Sequence, residues 1–405
     1  MKKVELLAPA GDMNKLKTAF YFGADAAYVG GKRFSLRALA GNFSDEELSA
    51  ATKYAHSLGK KLYVTVNVFA RNDDISEAEK YFVFLRDIGV DGAIISDAGL
   101  VAVSRRVASD LPINLSTQAN TLNYEAVRFW RDLGVKRVIL ARELSLKEIK
   151  EIRDRVEGVE LETFAHGAMC ISYSGRCILS DYRTGRSSNR GECVQACRWN
   201  YEIRERGSDG AFMEMQQDER GTYILNSKDL CLVEKLDELI NAGVCSFKIE
   251  GRMKSEYYLA TVINAYRRAL DDYYKNGAGY KNNSLYRAEL EKTAHREFTT
   301  AYFSGENDRT ENFDDSQSVG TSKFTAAVIE GNKNGFALIE MRNRFKTGDV
   351  LEVLSPSDSF NKKITVEKMT DENGTEISDA KVVQQRIRLY TDVTLSNGDF
   401  LRKEM

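Results

Sequence analysis

The chain carries Gly23-Ala24-Asp25-Ala26-Ala27-Tyr28-Val29-Gly30, the first of four copies of one local pattern. In each copy a glycine precedes a short spacer and then an apolar run. The other copies span Gly89–Ser96, Gly134–Ala141 and Gly243–Glu250. A glycine after a helix supplies the left-handed C-cap, and the apolar run is typical of a buried parallel strand. The pattern therefore predicts helices alternating with parallel strands.

Further signals complete this alternation. Four more strands are predicted at Val4–Leu7, Leu62–Val66, Ile113–Thr117 and Val159–Phe164. Capping boxes, in which a serine is followed by a glutamate three residues later, predict three helix starts: Ser44 with Glu47, Ser76 with Glu79, and Ser145 with Glu148. Eight strands alternating with helices, without a glycine-rich dinucleotide loop after the first, favour an α/β fold of the (β/α)8 TIM-like barrel type over a doubly wound sheet.

Two irregular stretches define the predicted domains. About 80 residues separate the strand that ends at Phe164 from the strand around Phe247, far more than an ordinary βα connection needs. We predict an insertion at residues 165–242, at the C-terminal end of a barrel strand, where barrel enzymes place functional groups. A polar, acidic linker follows at residues 304–312. The predicted domains are a barrel at 1–310 and a small all-β, barrel-like domain at 318–405.

The composition is ordinary for a soluble globular protein, with 405 residues, 42% hydrophobic residues and a net charge of −2. A charge so near zero gives no global attraction for nucleic acid, so any basic surface must be local. No apolar run approaches the roughly 20 residues of a membrane helix, and the start does not resemble a signal peptide. We expect a cytoplasmic protein whose 6 cysteines are not disulfide-bonded.

Four of the cysteines crowd into residues 170–197, a stretch that is otherwise polar and rich in arginine: Cys170, Cys177, Cys193 and Cys197. Thiolates are ligands for soft metals, and four of them can hold a tetrahedral zinc ion or the corners of an iron–sulfur cluster. Zinc ribbons usually show two closely spaced Cys-x-x-Cys pairs, a spacing not found here, so an iron–sulfur cluster is favoured. The alternative is core packing without a metal, and it suits Cys231 and Cys245 better.

The cysteine-bearing stretch is also basic. Between residues 183 and 206 arginines outnumber glutamates, and aromatic residues lie among or beside them. Arginine interleaved with aromatic rings suits phosphate contact and base stacking. Arg183, Arg186 and Arg190 are therefore candidate RNA contacts. The alternative is a solvated loop whose charges serve solubility.

Motifs of one family are spread along the chain, at residues 6–11, 116–120, 162–170, 175–180, 224–230, 248–252 and 342–349. Together they resemble the collagenase-like peptidase family U32, and the last resembles the β-domain that follows the barrel in that family. Within the family, the chain is most similar to a branch implicated in making 5-hydroxyuridine at the wobble position of tRNA.

The resemblance implies a function and its components. It implies a tRNA uridine hydroxylase with a 4Fe-4S cluster on its cysteines and prephenate as a co-substrate. The implied partners are tRNA, a small carboxylate metabolite and a second protein of the same family. We expect no association with a membrane. Some related branches lack the cysteine that matches Cys197. The resemblance therefore supports Cys197 as a cluster ligand less strongly than the other three cysteines.

Polar residues that follow the predicted strands are candidates for the active site. Asn67 and Gln118 could orient a substrate by hydrogen bonding. Glu250, Arg252 and Lys254 follow the last barrel strand, and Arg252 could bind a carboxylate of prephenate through two parallel hydrogen bonds. Lys254 is a further candidate for substrate binding. A salt bridge from Glu250 to Arg252 or Lys254 is the structural alternative.

The family name also suggests proteolysis. His166 and Cys170 could form a base and nucleophile, but a cysteine bound to a metal is not available to attack a carbonyl. The sequence has neither a His-Glu-x-x-His zinc motif nor a Gly-x-Ser-x-Gly elbow. We therefore group His166 with Glu250 and Arg252 as candidate catalytic residues, and favour for His166 a hydrogen bond beside the cluster. Peptidase activity and a non-catalytic iron–sulfur scaffold for RNA hydroxylation are the alternatives.

Overall fold

The computed structural model describes residues 3–35, 41–169, 179–186, 192–196, 217–218, 221–222, 228–305 and 318–405. Strands and helices alternate from the start of the chain, as predicted. In order, they are β1 (Glu5–Pro9), α1 (Met13–Tyr21), β2 (Ala26–Gly30), α2 (Asp45–Ser57), β3 (Lys61–Val66), α3 (Ile75–Asp87), β4 (Gly92–Ile95), α4 (Ala98–Val107), β5 (Ile113–Leu115), α5 (Tyr124–Asp132), β6 (Arg137–Ile139), α6 (Leu146–Arg155) and β7 (Glu160–Ala168).

The elements after β7 complete a closed barrel. They are α7 (Leu179–Thr184), β8 (Gln217–Asp218), β9 (Gly221–Thr222), β10 (Asp229–Cys231), α8 (Leu236–Asn241), β11 (Ser246–Ile249), α9 (Glu256–Asn276), α10 (Ser284–Leu290) and β12 (Phe298–Thr299). Strand β11 pairs in parallel with both β7 and β1, so that in the described part of the chain eight parallel strands, β1–β7 and β11, form a ring. The predicted TIM-like barrel is confirmed.

The predicted insertion adds strand β10 beside the end of β7. Strand β10 pairs antiparallel with β7, with Cys231 opposite His166, and β12 pairs with β10. Cys231 is the last residue of β10 and is buried. Strand β7 also extends to Ala168, beyond the predicted end at Phe164, because its last residues pair with β10. His166 therefore lies inside a strand and not after one.

Two of the three predicted capping boxes are confirmed. The hydroxyls of Ser44 and Ser145 each accept a hydrogen bond from the backbone N–H of the glutamate three residues later. The carboxylate of that glutamate in turn accepts a hydrogen bond from the backbone N–H of the serine. The third is wrong, because α3 begins at Ile75 and Ser76 lies within its first turn. The carboxylate of Asp74 instead accepts from the Arg71 backbone N–H at 2.8 Å, in a short 3-10 turn before the helix.

The barrel interior holds buried charges as well as an apolar core. Arg137, at the start of β6, is 4% exposed and forms ion pairs with Glu5, Glu160 and Glu162. Its Nη1 lies 2.9 Å from the Glu162 carboxylate, and Glu162 is 0% exposed. Charges buried this deeply are tolerated only when they are paired. These pairs join β1, β6 and β7 across the barrel.

The C-terminal residues form an all-β structure, as predicted. Its strands are β13 (Ser322–Lys333), β14 (Phe336–Met341), β15 (Phe345–Lys346), β16 (Val350–Leu354), β17 (Lys363–Thr365), β18 (Met369–Asp371), β19 (Asp379–Ala380), β20 (Arg386–Tyr390) and β21 (Phe400–Glu404). Seven of them form an antiparallel sheet in the order β17-β16-β21-β13-β14-β20-β18. Val328, Ile339, Leu351 and Leu401 are among the residues of its own apolar core.

The described residues group into two compact units. The first draws on Met1–Leu16, Asp25–Met253 and Arg296–Gln317, and the second on Lys17–Ala24, Lys254–His295 and Ser318–Met405. Helices α9 and α10 therefore group with the C-terminal strands. The boundary predicted between residues 310 and 318 lies outside the described residues. No helix in the described part of the chain combines the length with the apolar character that a membrane span requires.

Candidate active site at the carboxyl ends of the barrel strands

Arg142 occupies a central position among the polar residues at the C-terminal ends of the strands. Its Nη1 donates to the carbonyl oxygen of Ala168 at 2.7 Å, and its Nη2 lies 3.9 Å from the carboxylate of Glu250. The guanidinium carbon lies 4.0 Å from the centroid of the Phe164 ring. Arg142 thus connects the ends of β6, β7 and β11. Its position directly after the strand pattern at Gly134–Ala141 was the signal that could have identified it.

A glycine allows the end of β7 to approach the segment after β11. Gly167 has a φ of +109°, and a Cβ there would lie 2.5 Å from the carbonyl oxygen of Glu250. The backbone N–H of Glu250 donates to the carbonyl of His166 at 2.8 Å. A side chain at position 167 would separate these two backbones. The position of the Glu250 carboxylate therefore depends on Gly167.

Lys248 lies inside the barrel, two residues before Glu250. Its Nζ is 3.5 Å from Glu162 and 4.1 Å from the centroid of the Tyr28 ring, and the residue is 4% exposed. Burial lowers the pKa of Lys248, and the charges of Glu162 and Glu250 oppose that shift. Lys248 stands in the same motif as Glu250 and Arg252, and this position is the sequence signal that could have identified it.

Arg252 is buried, with 3% exposure. Its Nη2 donates to the hydroxyl of Ser35 at 2.8 Å and its Nη1 to that of Thr65 at 3.1 Å. A Cβ at Gly30 would lie 2.2 Å from Nη1, so the end of β2 has to be glycine for the guanidinium to lie there. Among the described residues, Glu250 forms an ion pair with Arg142, which the sequence did not predict.

The structure brings Asn67 and Gln118 together. The amide nitrogen of Asn67 donates to the side-chain oxygen of Gln118 at 2.9 Å. Gln118 lies on a short 3-10 turn after β5, and the hydroxyl of Ser116 caps that turn by accepting from the Gln118 backbone N–H at 3.4 Å. Lys254 belongs to the second unit, where its Nζ lies 5.1 Å from the Tyr258 ring centroid.

His166 is 1% exposed, and its ring packs 5.4 Å from the ring of Phe298 on β12. A base that activates a nucleophile on a peptide needs access to the substrate. The buried position of His166 therefore fits a packing or hydrogen-bonding role better than general-base catalysis on a polypeptide.

The cysteine-bearing stretch is described only in part, and Cys170, Cys177, Cys197 and Arg190 lie outside the described residues. Cys193 is half-buried, and its Sγ accepts from the backbone N–H of Gln195 at 3.4 Å. Backbone N–H groups commonly donate to metal-bound thiolates, so this contact fits a cluster ligand. Within the described ranges, no group of three or more histidine, cysteine or acidic side chains could hold a metal ion.

Ser180, the last residue of the motif at residues 175–180, joins the two described parts of this stretch. Ser180, on α7, is 1% exposed. Its hydroxyl donates to the carbonyl of Arg186 at 2.8 Å and accepts from the backbone N–H of Val194 at 3.2 Å. The exposed residues Arg183 and Arg186 are thereby held near the segment that carries Cys193.

The surroundings of Cys231 and Cys245 are those of packed cysteines and not those of metal ligands. Cys231 is 3% exposed within β10. The thiol of Cys245 donates to the carbonyl of Leu161 at 3.3 Å, and burial raises its pKa to about 11. Because the thiolate is the form that binds metals, Cys245 remains a protonated core residue at neutral pH.

Comparison with known proteins gives consistent matches along the chain. The profile of peptidase family U32 matches residues 11–312, and that of the peptidase family U32 C-terminal domain matches residues 321–402. tRNA hydroxylation protein P1 of Bacillus subtilis is 39% identical over 405 residues, which cover 99% of this chain and 95% of the relative. tRNA hydroxylation protein P of Escherichia coli is 38% identical, with 92% of this chain and 90% of the relative covered.

A third relative acts on a different RNA. The 23S rRNA 5-hydroxycytidine C2501 synthase of Escherichia coli is 32% identical over 380 residues, which cover 92% of this chain and 55% of the relative. The profile matches and the high identity over nearly the whole length agree with the barrel and the C-terminal β-structure described above. The chain therefore belongs to peptidase family U32.

Proposed function

We propose that this protein hydroxylates tRNA, at C5 of the wobble uridine, with a 4Fe-4S cluster and with prephenate as a co-substrate. The observation that carries the proposal is the identity of 39% to a tRNA hydroxylation protein across 99% of the chain. Action on tRNA would place the protein in the cytoplasm. A second protein of the family is a proposed partner.

The proposed cluster site consists of Cys170, Cys177, Cys193 and Cys197. Such a cluster, when bound, supplies electron-transfer chemistry to a thiolate-lined site. The hydrogen bond from Gln195 to Cys193 supports this ligand set, since it would stabilise negative charge on the sulfur. Ser180 would hold this ligand segment against the turn that follows α7.

tRNA would dock on the basic segment next to the cysteines. Arg183 and Arg186 are exposed on α7 and the turn after it, and Arg190 follows in sequence. Exposed arginines make phosphate contacts that depend strongly on salt. The hydrogen bonds of Ser180 relate these contacts to the Cys193 segment, so that a bound tRNA would lie next to the cluster ligands.

The barrel mouth would orient the reacting groups. Asn67 and Gln118 are already hydrogen-bonded to each other, and together they present amide groups to a substrate. Glu250 is held by Arg142 and by the backbone of β7, which suits a carboxylate that orients a substrate hydroxyl or moves a proton. Arg252 is a candidate for binding the carboxylate of prephenate, by exchanging its hydroxyl partners Ser35 and Thr65 for carboxylate oxygens.

The test is the content of 5-hydroxyuridine in tRNA from a strain that lacks this protein, measured by mass spectrometry of digested tRNA. We expect the modification to be absent and to return with the wild-type gene. Cys193→Ala should not restore it, whereas Cys245→Ala, which removes a core thiol, should. Normal 5-hydroxyuridine in the deletion strain would contradict the proposed function.

Peptidase activity is the second candidate, because the family profile that matches residues 11–312 is that of a peptidase family. The buried His166 argues against it. We expect purified protein to leave gelatin and collagen intact. Cleavage that disappears in His166→Ala and persists in the control His56→Ala, whose histidine lies half exposed on α2, would favour the peptidase.

A further inference from the structure

Aromatic and basic side chains form a row on one face of the C-terminal sheet. Strands β13, β14 and β20 are neighbours, and their pairing places Lys333 opposite Phe336 and Phe336 opposite Tyr390. Residues directly opposite each other in an antiparallel sheet lie on the same face. Lys368, just before β18, continues the row, because its Nζ lies 4.9 Å from the centroid of the Tyr390 ring. We call Lys333, Phe336, Tyr390 and Lys368 the basic aromatic row.

The basic aromatic row lies on the outer face of the sheet. The next residues along the same strands, Ala337 and Leu389, are buried in the apolar core. Phe336 and Tyr390 are only partly buried, and their ring centroids lie 5.6 Å apart. Both lysines are exposed. The two rings therefore face away from the core and form an aromatic surface on the outside of the sheet.

The positive charges around the two rings come from three side chains: Lys333, Lys368 and Arg388. The guanidinium carbon of Arg388 lies 5.4 Å from the centroid of the Phe336 ring, and its Nη2 donates to the carbonyl of Glu372 at 2.7 Å. The Glu372 carboxylate pairs with Arg386 at 3.4 Å. Among the residues that the structure describes, none of the three cations forms an ion pair with a carboxylate. Their charge is therefore available to an anionic partner.

The combination of charge and rings favours one class of partner. Phosphates complement the three cations, and planar bases complement the rings. The bases of an RNA duplex are stacked on one another, whereas unpaired bases in a loop can stack on aromatic rings and on guanidinium planes. The guanidinium of Arg388 already lies over Phe336, and the flexible Lys368 can exchange its ring contact for a phosphate oxygen. The row therefore fits single-stranded RNA.

We propose that the basic aromatic row binds unpaired nucleotides of tRNA, with bases stacked on Tyr390 and on Arg388 and with phosphates on the two lysines. The inference deepens the proposed function, on which it rests for the identity of the RNA. The wobble uridine lies in such a single-stranded loop, the anticodon loop. The C-terminal strands thus add contacts to bases, besides the phosphate contacts proposed for the basic segment next to the cysteines.

The test is binding of two labelled RNAs to the full-length protein, purified without air, measured by fluorescence anisotropy at several salt concentrations. One RNA is an anticodon stem-loop, and the other is a fully paired duplex with the same number of nucleotides. We expect the stem-loop to bind about tenfold more tightly, because it offers unpaired bases. Tyr390→Ala should weaken stem-loop binding by about tenfold and leave duplex binding unchanged, whereas Tyr390→Phe, which keeps the ring, should bind as the wild type does.

A second variant tests the charges without altering the core. Lys333→Glu combined with Lys368→Glu changes two exposed side chains, and it should weaken stem-loop binding by at least about tenfold and reduce its dependence on salt. The matched control is Lys362→Glu combined with Lys363→Glu, at the opposite edge of the same sheet, where both lysines are exposed. The control for the ring is Tyr274→Ala, on α9, whose partly exposed ring lies 5.4 Å from that of Tyr273. Both controls should bind as the wild type does.

Thermal melting should show that all the variants are folded. The inference is overturned if the wild type binds the duplex as tightly as the stem-loop, or if the controls weaken binding as much as the row variants do. It is also overturned if Tyr390→Ala or the variant with both row lysines changed binds the stem-loop as the wild type does, a result that would favour a protein partner for this face. The proposed function fails separately, if the deletion strain keeps its 5-hydroxyuridine.

Discussion

Arg137 shows how strongly a single residue can stabilise the barrel. It faces Glu5, Glu160 and Glu162, and both Arg137 and Glu162 are buried. We predict that Arg137→Met lowers the free energy of unfolding by about 3–5 kcal/mol, because it leaves buried carboxylates without a counter-charge. Urea denaturation followed by circular dichroism measures this loss.

The matched control is Arg344→Met in the C-terminal strands. Arg344 also forms a two-point pair with a carboxylate, that of Asp379, but its side chain is 70% exposed. Ion pairs on the surface contribute little to stability, because water and salt screen them, so Arg344→Met should change the free energy of unfolding far less than Arg137→Met. Equal losses in the two variants would show that burial of Arg137 does not determine the effect.

Glu5 gives the barrel a defined dependence on pH. Burial alone would raise its pKa, but the charge and hydrogen bonds of Arg137 hold the pKa of Glu5 below its ordinary value of 4.5. A carboxyl whose pKa is lower in the folded protein stabilises it above the unfolded value, and that stabilisation is lost as the pH falls through the folded value. We predict that the acid-induced loss of stability below pH 4.5 is smaller in Glu5→Gln than in the wild type. Unfolding curves recorded from neutral to acidic pH test this, and parallel curves would contradict it.

Residues at strand ends could be predicted from the sequence, but their partners could not. Asn67 and Gln118 follow strands of one parallel sheet, and they do form a hydrogen bond. The partners of Arg252, Ser35 and Thr65, depend on how three strand ends are staggered around the ring, which no local pattern reveals. Arg142 was missed for the same reason, because its importance appears only when β6, β7 and β11 meet.

At the scale of elements, the join between β7 and β11 depends on Gly167. We predict that Gly167→Ala destabilises the protein by about 2 kcal/mol or more, because the new Cβ would meet the Glu250 carbonyl in a left-handed conformation. Gly59→Ala is the control, since Gly59 also has a positive φ but nothing lies within 4 Å of its Cβ position. It should cost about 1 kcal/mol. Thermal melting of both variants checks the difference, and equal effects would mean that the close backbone approach is unimportant.

Four of the eight barrel strands were predictable because each is an apolar run that follows a glycine, and the other four because apolar runs fill the gaps between them. Strands β10 and β12 were not, because each is only two or three residues long and lies outside the regular alternation of strands and helices. The false start at Ser76 has a different cause. A serine followed by glutamate three residues later also occurs inside a first turn, so this pattern alone does not locate the cap.

At the scale of the whole molecule, α9 and α10 depend on the C-terminal strands. The buried Arg402 on β21 bonds to Glu289 on α10 at 2.6 Å, and Phe324 on β13 stacks on Tyr257 of α9 with ring centroids 5.5 Å apart. We predict that a chain ending at residue 317 is less stable than the full chain and tends to aggregate. The truncation removes Arg402 from the buried Glu289, which keeps only Lys292 as a charged partner, and it uncovers apolar surface of the helices. Thermal melting and light scattering measure this.

A chain that lacks only Met405, a residue with 68% exposure, is the control and should behave as the full protein does. A stable, monomeric 1–317 fragment would show that α9 and α10 do not need the strands. The domain boundary suggested by the polar linker at 304–312 would then also mark an independent folding boundary.

The interleaving of the two units along the chain has a consequence for synthesis on the ribosome. Each unit takes three separate stretches, and the second combines residues as early as Lys17–Ala24 with the last stretch, Ser318–Met405. Translation delivers residues in order, and domains generally fold as they emerge. The barrel can therefore form before the C-terminal strands that pack on α9 and α10 have been synthesised. The apolar faces of those helices remain uncovered until Ser318–Met405 has been synthesised, so the interval before that stretch emerges is when this protein most needs a chaperone.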